Sequence, residues 1–333
     1  MRKVANHKKK LPKVSLIISN FNGRDLLRDC LNSLLCQDYA ASYEIIVIDA
    51  GSTDGAPEMI EQEFAEVKLI KESRIGIGKA VNLGFRIARG TILAFDINSD
   101  EIFSSSWLRT LVNALLRHPD AGVVGGVRIL YGTKDVIDEA GATFNYLGIP
   151  SSYIRVKLSD VPKEPRKVDY VGAPLFRRKL LDIVGLCDET YVIYSEDEDY
   201  CARVKRAGYD ILHIPQAISY HRRSVTIGKD SPLSVYYERR NHVRFIIKNF
   251  PLMRMFLALF WHVFLLTAIE AIVFIPFIKR ILSSKDSRLV FLSQRANRKN
   301  YRAIIEAIRW NFRNFKSTIF ARQQVSRINR FIR

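Results

Sequence analysis

Four polar clusters stand at the ends of apolar runs in the first two thirds of the chain. Asp49-Ala50-Gly51-Ser52-Thr53-Asp54 closes one run, and Asn98-Ser99-Asp100 follows a second. Glu196-Asp197-Glu198-Asp199 sits before a predicted helix, and His221 follows a short strand. Carboxylates grouped at strand ends suit a hard divalent cation, which prefers oxygen ligands. They also suit removal of one proton from an attacking hydroxyl. Together these features point to chemistry on a nucleotide-activated substrate.

The elements that position these residues follow from hydrophobic period. Val14–Ser19, Tyr43–Ile48, Val67–Ile70 and Thr91–Phe95 are short, continuous, β-rich apolar runs, the pattern of buried strands. Between them, Leu27, Leu31, Leu34 and Leu35 recur at helical spacing, as do Val81, Phe85 and Ala88. Ser52 to Pro57 turns into a helix through about Phe64, with Asp54 as its cap. Strand and helix in alternation, with strands apolar throughout, predict an α/β fold with a mostly parallel central sheet and helices on both faces. Ligands in such sheets bind beyond the carboxyl ends of the strands. Asn20, Asp49 and Asp100 all fall at that edge. Trp107–Leu116 reads as a helix, Val123–Leu130 as a strand, residues 131–168 as loop, and Arg178–Val184 and Glu198–Ala207 as helices, the last closed by Gly208. Tyr209–Pro215 and Ala217–His221 read as two short strands.

Charge divides the chain. Of the formal +18, residues 1–13 carry +6 and residues 279–333 carry +13, which leaves −1 for the body. Basic ends on a neutral body suit an acidic partner, a nucleic acid or an anionic membrane surface. Cys30, Cys36, Cys187 and Cys201 are widely spaced with no C-x-x-C, which predicts free thiols in a reducing compartment, Cys30 and Cys36 in a helix core. Leu11–Ile18 is too short and interrupted for a signal peptide. Residues 255–278 hold only His262 and Glu270 as ionisable side chains, and 24 residues are enough to reach across a bilayer. Basic residues flank this segment on both sides, which disfavours a simple span and favours in-plane attachment. Ile304, Ile308, Phe312, Phe315 and Ile319 fall on one helical face, a basic amphipathic pattern suited to a membrane surface.

With these positions in place, the chain resembles the family 2 inverting glycosyltransferases of GT-A fold, from about Val14 to Arg223. The resemblance lies in VSLIISNFNG (14–23), EIIVIDAGSTDG (44–55), IGIGKAVNLGFRIARG (75–90), INSDEIFSSSWL (97–108), GAPLFRRKLLDIVGLCDE (172–189) and YSEDEDYCARVKRAGY (194–209), with the His221 segment after them. The rhamnosyltransferase-like subgroup is the most similar. The resemblance implies a GT-A domain over 14–225, between a basic arm (1–13) and a helical linker (226–254). A hydrophobic membrane-associated segment (255–278) and a basic helical tail (279–333) follow. It implies that Asp49 reads the nucleotide base and that Asn20 and Asn22 line the same edge. Lys79, Asn82 and Asn98 complete the nucleotide-binding set. Asp100 would hold Mn²⁺ or Mg²⁺ against the diphosphate of a nucleotide-sugar donor, with His221 as a further ligand. Asp197, in its pair with Glu196, matches the catalytic base. Asn98 stands where an Asp is usual, and Asp96 is a nearby carboxylate that compensates.

Like-charge repulsion from Glu196, Glu198 and Asp199 is expected to raise the Asp197 pKa. The same four acids also suit a plain helix start, where the macrodipole favours negative charge. The function expected is inverting sugar transfer to a membrane-held acceptor, a lipid-linked saccharide, at the cytoplasmic face of the cell membrane. Transfer directly to polyprenyl phosphate and an inactive scaffold are the alternatives. The acidic strand ends and the lack of a nucleic-acid motif argue against a nucleic-acid partner.

Overall fold

The computed structural model describes residues 11–222, 231–265, 267 and 298–328. The basic arm up to residue 10, residues 223–230, most of 266–297 and residues 329–333 lie outside the described residues, and with them parts of the expected linker, hydrophobic segment and tail.

Strand β1 (Val14–Asn20) pairs in parallel with β2 (Tyr43–Asp49), and β2 with β3 (Lys68–Lys71). On its other side β1 pairs in parallel with β4 (Ile92–Ile97). Helices α1 (Arg24–Leu35), α2 (Ala56–Glu63) and α3 (Ile77–Ile87) make the crossovers. Successive side chains of β1 point to opposite faces, and both faces are covered. Leu16 and Ile18 join Leu27, Leu31 and Ile60 in one core, while Ile17 joins Val81 and Phe85 in the other. This double burial is why β1 lacks polar alternation.

The chain continues through β5 (Glu101–Phe103), α4 (Trp107–Arg117), β6 (Ala121–Leu130), β7 (Ile137–Glu139), β8 (Ala142–Phe144), β9 (Pro150–Ser152), β10 (Arg166–Val168), β11 (Leu175–Arg177), α5 (Leu180–Val184), α6 (Glu196–Arg206) and β12 (Asp210–His221). The ten-stranded sheet has the order β10-β12-β6-β11-β4-β1-β2-β3, with β5 on β12 and β7 on β6. It is mixed rather than mostly parallel. The β3-β2-β1-β4 half is parallel as expected, but β11 lies antiparallel between β4 and β6.

Other expectations shift by small amounts. β12 is one strand with a register break between His213 and Ile218, not two strands. Helix α6 begins at Glu196, two residues earlier than expected, and Gly208 (φ 95°) ends it in the left-handed conformation. Cys36 is exposed because it follows the last turn of α1.

Beyond the sheet, α7 (Pro232–Asn249) is capped by Ser231, whose Oγ accepts from the Ser234 N–H at 3.2 Å. It is followed by α8 (Leu252–Leu259), a π-turn at 260–265, and then α9 (Arg298–Arg313) and α10 (Phe315–Ser326). The expected amphipathic face divides. Ala303, Ile304 and Ala307 of α9 are buried, with Ile304 against Val235 of α7, and Ile319 packs on the Phe245–Phe250 cluster. Phe312 and Phe315 remain exposed, because the helix breaks at Asn314 and the protein has already taken the rest of the stripe. Among the described residues, no helix is long and apolar enough to cross a membrane.

Candidate active site

The β1–β2 register sets Asn20 directly beside Asp49 at the carboxyl edge of the sheet. Asp49 is buried and its carboxylate is saturated. Oδ1 accepts from the backbone N–H groups of Gly51 (3.1 Å) and Ser52 (2.8 Å). Oδ2 accepts from the Ser52 hydroxyl (2.6 Å) and the Asn20 amide (3.0 Å). Ser52 Oγ in turn accepts from the Asn22 N–H at 2.8 Å, and Asn22 Oδ1 accepts from the Thr53 N–H at 2.9 Å. The two strand ends are thereby locked into one ledge. The Oδ1 of Asn20 is buried and has no hydrogen-bond partner, so one acceptor stays open there. Asp54 does more than cap α2. Its Oδ2 accepts from the Arg24 N–H at 2.8 Å and so satisfies the start of α1.

Two of the nucleotide-site candidates point elsewhere. The Asn82 amide is occupied by Cys187 N and O and by Glu189 Oε1, at 2.9–3.0 Å, which ties α3 to the loop before α6. Asn98 Nδ2 turns inward to Glu101 Oε1 at 3.1 Å. Lys79 is exposed in the first turn of α3.

Across the sheet, β4 gains one residue relative to β1 between Ala94 and Ile97, and Asp96 takes a left-handed φ of 54°. A bulge of this kind re-aims a side chain. Here it turns Asp96 toward Arg128 of β6 (3.3 Å), whose guanidinium also reaches Glu101 (2.7 Å) and Glu139 (2.9 Å). Gly172 leaves the space that this guanidinium fills. The β5–β12 pairing brings Asp100 to His221, with Nε2 at 3.3 Å from Asp100 Oδ1 and Nδ1 at 2.7 Å from Asp138 Oδ2. Burial works against a charged imidazole, but Asp100 and Asp138 more than offset it and push His221 up to about 10.

The first turn of α6 completes the acidic centre. The helix is anchored from below by Tyr200, whose ring packs on Phe95 and Phe176 at centroid distances of 5.3 and 4.9 Å. Burial raises Glu196 to about 8, helped by the charges of Asp96 and Glu198. Burial also raises Asp197 well above the carboxylate range, with Asp96, Glu196, Glu198 and Glu139 adding to it. Glu198 is pushed to about 7, again chiefly by burial, and Asp96 to about 6 by burial against the opposing charge of Arg128. The expected repulsion within the 196–199 run is present, but desolvation leads it, and Asp199 acts on Glu198 rather than on Asp197. Burial alone would raise Asp199, yet Lys248 and Arg203 more than offset it and hold it below the usual value. Glu196 Oε2 and Glu198 Oε2 are buried without hydrogen-bond partners.

The structure thus brings Asn20, Asn22 and Asp49 together on one ledge, joins Asp100 to His221, and links Asp96, Glu196 and Asp197 electrostatically. Sequence reasoning missed Arg128, Glu101, Asp138 and Glu139. Arg128 left one sign, as the sole charge inside a ten-residue apolar strand.

A sequence profile described as Glycosyl transferase family 2 matches residues 15–184, which contain β1 through α5. An uncharacterized glycosyltransferase of Nostoc sp. is 33% identical over 132 residues, covering 38% of this chain and 40% of that protein. The chain spans 26% and 62% of the lengths of two further relatives. The fold is similar to that of GalNAc-T7, solved with UDP, GalNAc and Mn²⁺ (TM-score 0.59, 18% identity, 91% of this chain and 58% of that one). It is also similar to the mannosyltransferase PcManGT of Pyrobaculum calidifontis, solved with GDP-Man and Mn²⁺ (TM-score 0.53, 17% identity, 96% of this chain and 87% of that one). The profile covers more than half of the chain and includes the ledge, the bulged Asp96 and Asp100, so the chain belongs to glycosyl transferase family 2.

Proposed function

We propose that the protein transfers a sugar, with inversion, from a nucleoside-diphosphate-sugar to a membrane-held acceptor, a lipid-linked saccharide in glycan assembly. The observation that carries this reading is the pairing of a rigid ledge at Asn20 and Asp49 with a desolvated, high-pKa Asp197 at the start of α6. A base must be ionised and basic enough to take a proton from a hydroxyl, and a raised pKa serves that need. Asp197 accepts the acceptor hydroxyl's proton as its oxygen bonds to the anomeric carbon. The bond from that carbon to the diphosphate breaks on the opposite face, and the nucleoside diphosphate leaves with the electron pair. Asn20 Oδ1, buried and open, suits a base N–H of the donor. Lys79, exposed at the start of α3, offers a cation to the donor's phosphates.

Once His221 gives up its extra proton, the donor set at Asp100 and His221 would fit a divalent cation. One carboxylate oxygen and one imidazole nitrogen lie 3.3 Å apart, and the second ring nitrogen is oriented by Asp138, the usual arrangement behind a metal-bound histidine. Among the described residues, no group of three or more such side chains forms a complete cage. Two protein ligands plus substrate phosphates suit Mg²⁺ or Mn²⁺. When bound there, the ion would neutralise charge developing on the leaving diphosphate.

Membrane attachment at the cytoplasmic face is supported by α8 and the turn after it. Leu252, Met253, Phe256, Leu257, Phe260 and Phe264 are exposed along one stripe, beyond what a soluble face commonly carries. The basic ends of the chain supply attraction to anionic lipid. The test is nucleoside diphosphate release from a panel of nucleotide sugars, with membrane lipid extract and with Mn²⁺, Mg²⁺ or chelator. Release from one donor that chelator abolishes is expected. Folded protein that releases nothing from any donor would overturn the proposal.

A further inference from the structure

Two consecutive residues immediately before the acidic centre, Tyr194 and Ser195, both have φ of 69°. Neither is glycine, so both sit in a sparsely populated backbone region that persists only when the surroundings impose it. They decide where α6 starts and hence where Glu196 and Asp197 point. Ser195 gives the helix no side-chain cap, so the hold comes from elsewhere.

It comes from α7. Asn241, fully buried, donates from Nδ2 to the carbonyl oxygens of Ile193 (2.7 Å) and Tyr194 (2.8 Å). Its Oδ1 accepts from Arg240 Nε at 2.8 Å, which fixes the amide with its two donors toward the turn. Arg240 is itself held. Its guanidinium lies 4.7 Å from the Tyr237 ring centre and 4.5 Å from that of Trp310, and it donates to the Thr190 carbonyl. Its own carbonyl accepts from Asn311 of α9 at 2.9 Å. On the far side of the turn, Lys248 and Asn249 of α7 bind Asp199 at 2.9–3.0 Å. Helix α7 therefore grips the chain on both sides of Glu196 and Asp197.

We infer that Asn241 is a positioning residue for sugar transfer. From the C-terminal helical layer it imposes the left-handed Tyr194–Ser195 turn that aims Asp197, with Arg240, Trp310 and Asn311 holding Asn241 in turn. This rests on the reading of Asp197 as the base. The consequence is a physical connection from the layer that carries the exposed apolar stripe to the proton acceptor.

The test uses the full chain and an active donor. Asn241→Ser removes the double hydrogen bond. Misplacement on the scale of 1 Å lowers rates by about 100-fold, so kcat is expected to fall about 30- to 100-fold, with donor KM within about twofold because the Asn20–Asp49 ledge is untouched. Ser195→Gly in the same chain is expected to recover about fivefold, since glycine adopts positive φ freely. On an Asp197→Asn background, Asn241→Ser is expected to add less than about twofold, because a residue acting only through Asp197 has nothing left to act on. A kcat within twofold of wild type, or an equal loss on both backgrounds, would overturn the inference. Should Asn241→Ser not fold, Trp310→Ala loosens Arg240 and leaves Asn241 in place. A fall in kcat of about 3- to 10-fold at constant KM supports the inference, and an unchanged kcat refutes it. If Asp197→Asn alone keeps wild-type transfer, the base assignment fails first, and that result is separate from either outcome for Asn241.

Discussion

The two halves of the site differ in how well their polar groups are satisfied. On the ledge, the Asp49 carboxylate has four donors, and the Asn20 amide nitrogen and Ser52 hydroxyl are both engaged. In the acidic centre, buried Glu196 and half-buried Asp96, Asp197 and Glu198 act on one another with one guanidinium beside Asp96, and two of their oxygens have no partner. The first half is closed without substrate except at Asn20 Oδ1, which stays open. The second half is electrostatically incomplete, and this is the common state of a site tuned for proton transfer. A difference of two residues makes the point again. Asp197 is raised, while Asp199, one face around the same helix, is lowered by Lys248 and Arg203.

The comparison breaks at Asp197 first. Asp197→Asn is expected to lower kcat by about 10²- to 10⁴-fold, the range for a general base, with nucleotide affinity and the thermal melt of the fold retained. Calorimetric titration with nucleoside diphosphate beside the rate assay checks both halves at once. Asp49→Ala reverses the pattern. It strands four donors of the ledge and is expected to cost about 3 kcal/mol of stability by urea unfolding, with nucleotide affinity lost as well.

Glu196→Gln sharpens the contrast through stability. The folded pKa of about 8 lies above the ordinary value of 4.5, so the folded form holds its proton more tightly than the unfolded chain does. That contribution is fully present below about pH 4 and is lost as pH rises through 8. A glutamine cannot ionise, so the substitution is expected to stabilise the fold by about 1 kcal/mol at pH 9 and by less at pH 5. Thermal melts at the two pH values read the sign. The smallest effect concerns the periphery. Phe256→Glu on the exposed stripe is expected to weaken pelleting with anionic vesicles about tenfold, the worth of one buried aromatic ring, and to leave soluble-acceptor turnover within twofold.

The ledge was legible in the sequence because it is local. Strand ends with Asn20 and Asp49 announce themselves by an apolar run followed by turn residues, and a parallel register does the rest. The pairing of Asp100 with His221 was legible only through family resemblance, since 120 intervening residues hide it until β5 meets β12. Glu139 and Asp138 were not legible, because residues 131–168 gave no period from which to place β7 on β6, and Arg128 showed only as a lone charge in an apolar strand whose partners were hidden. The direction of Asp96 depended on a bulge, which strand alternation cannot foresee. The packing of the tail was not legible, for a physical reason. An apolar helical stripe has the same pattern whether it meets lipid or α7, and the small Ala303 and Ala307 let α9 pack on protein.

The pH dependence of kcat/KM tests the incomplete acidic centre most directly. With Mn²⁺ and donor held constant, a desolvated carboxylate base beside Glu196 and Glu198, both also raised, predicts an acid limb with its midpoint well above the ordinary carboxylate range. The limb should vanish with the residual activity of Asp197→Asn. A profile that stays flat down to pH 5 would show an ordinary, solvated carboxylate and would contradict the account.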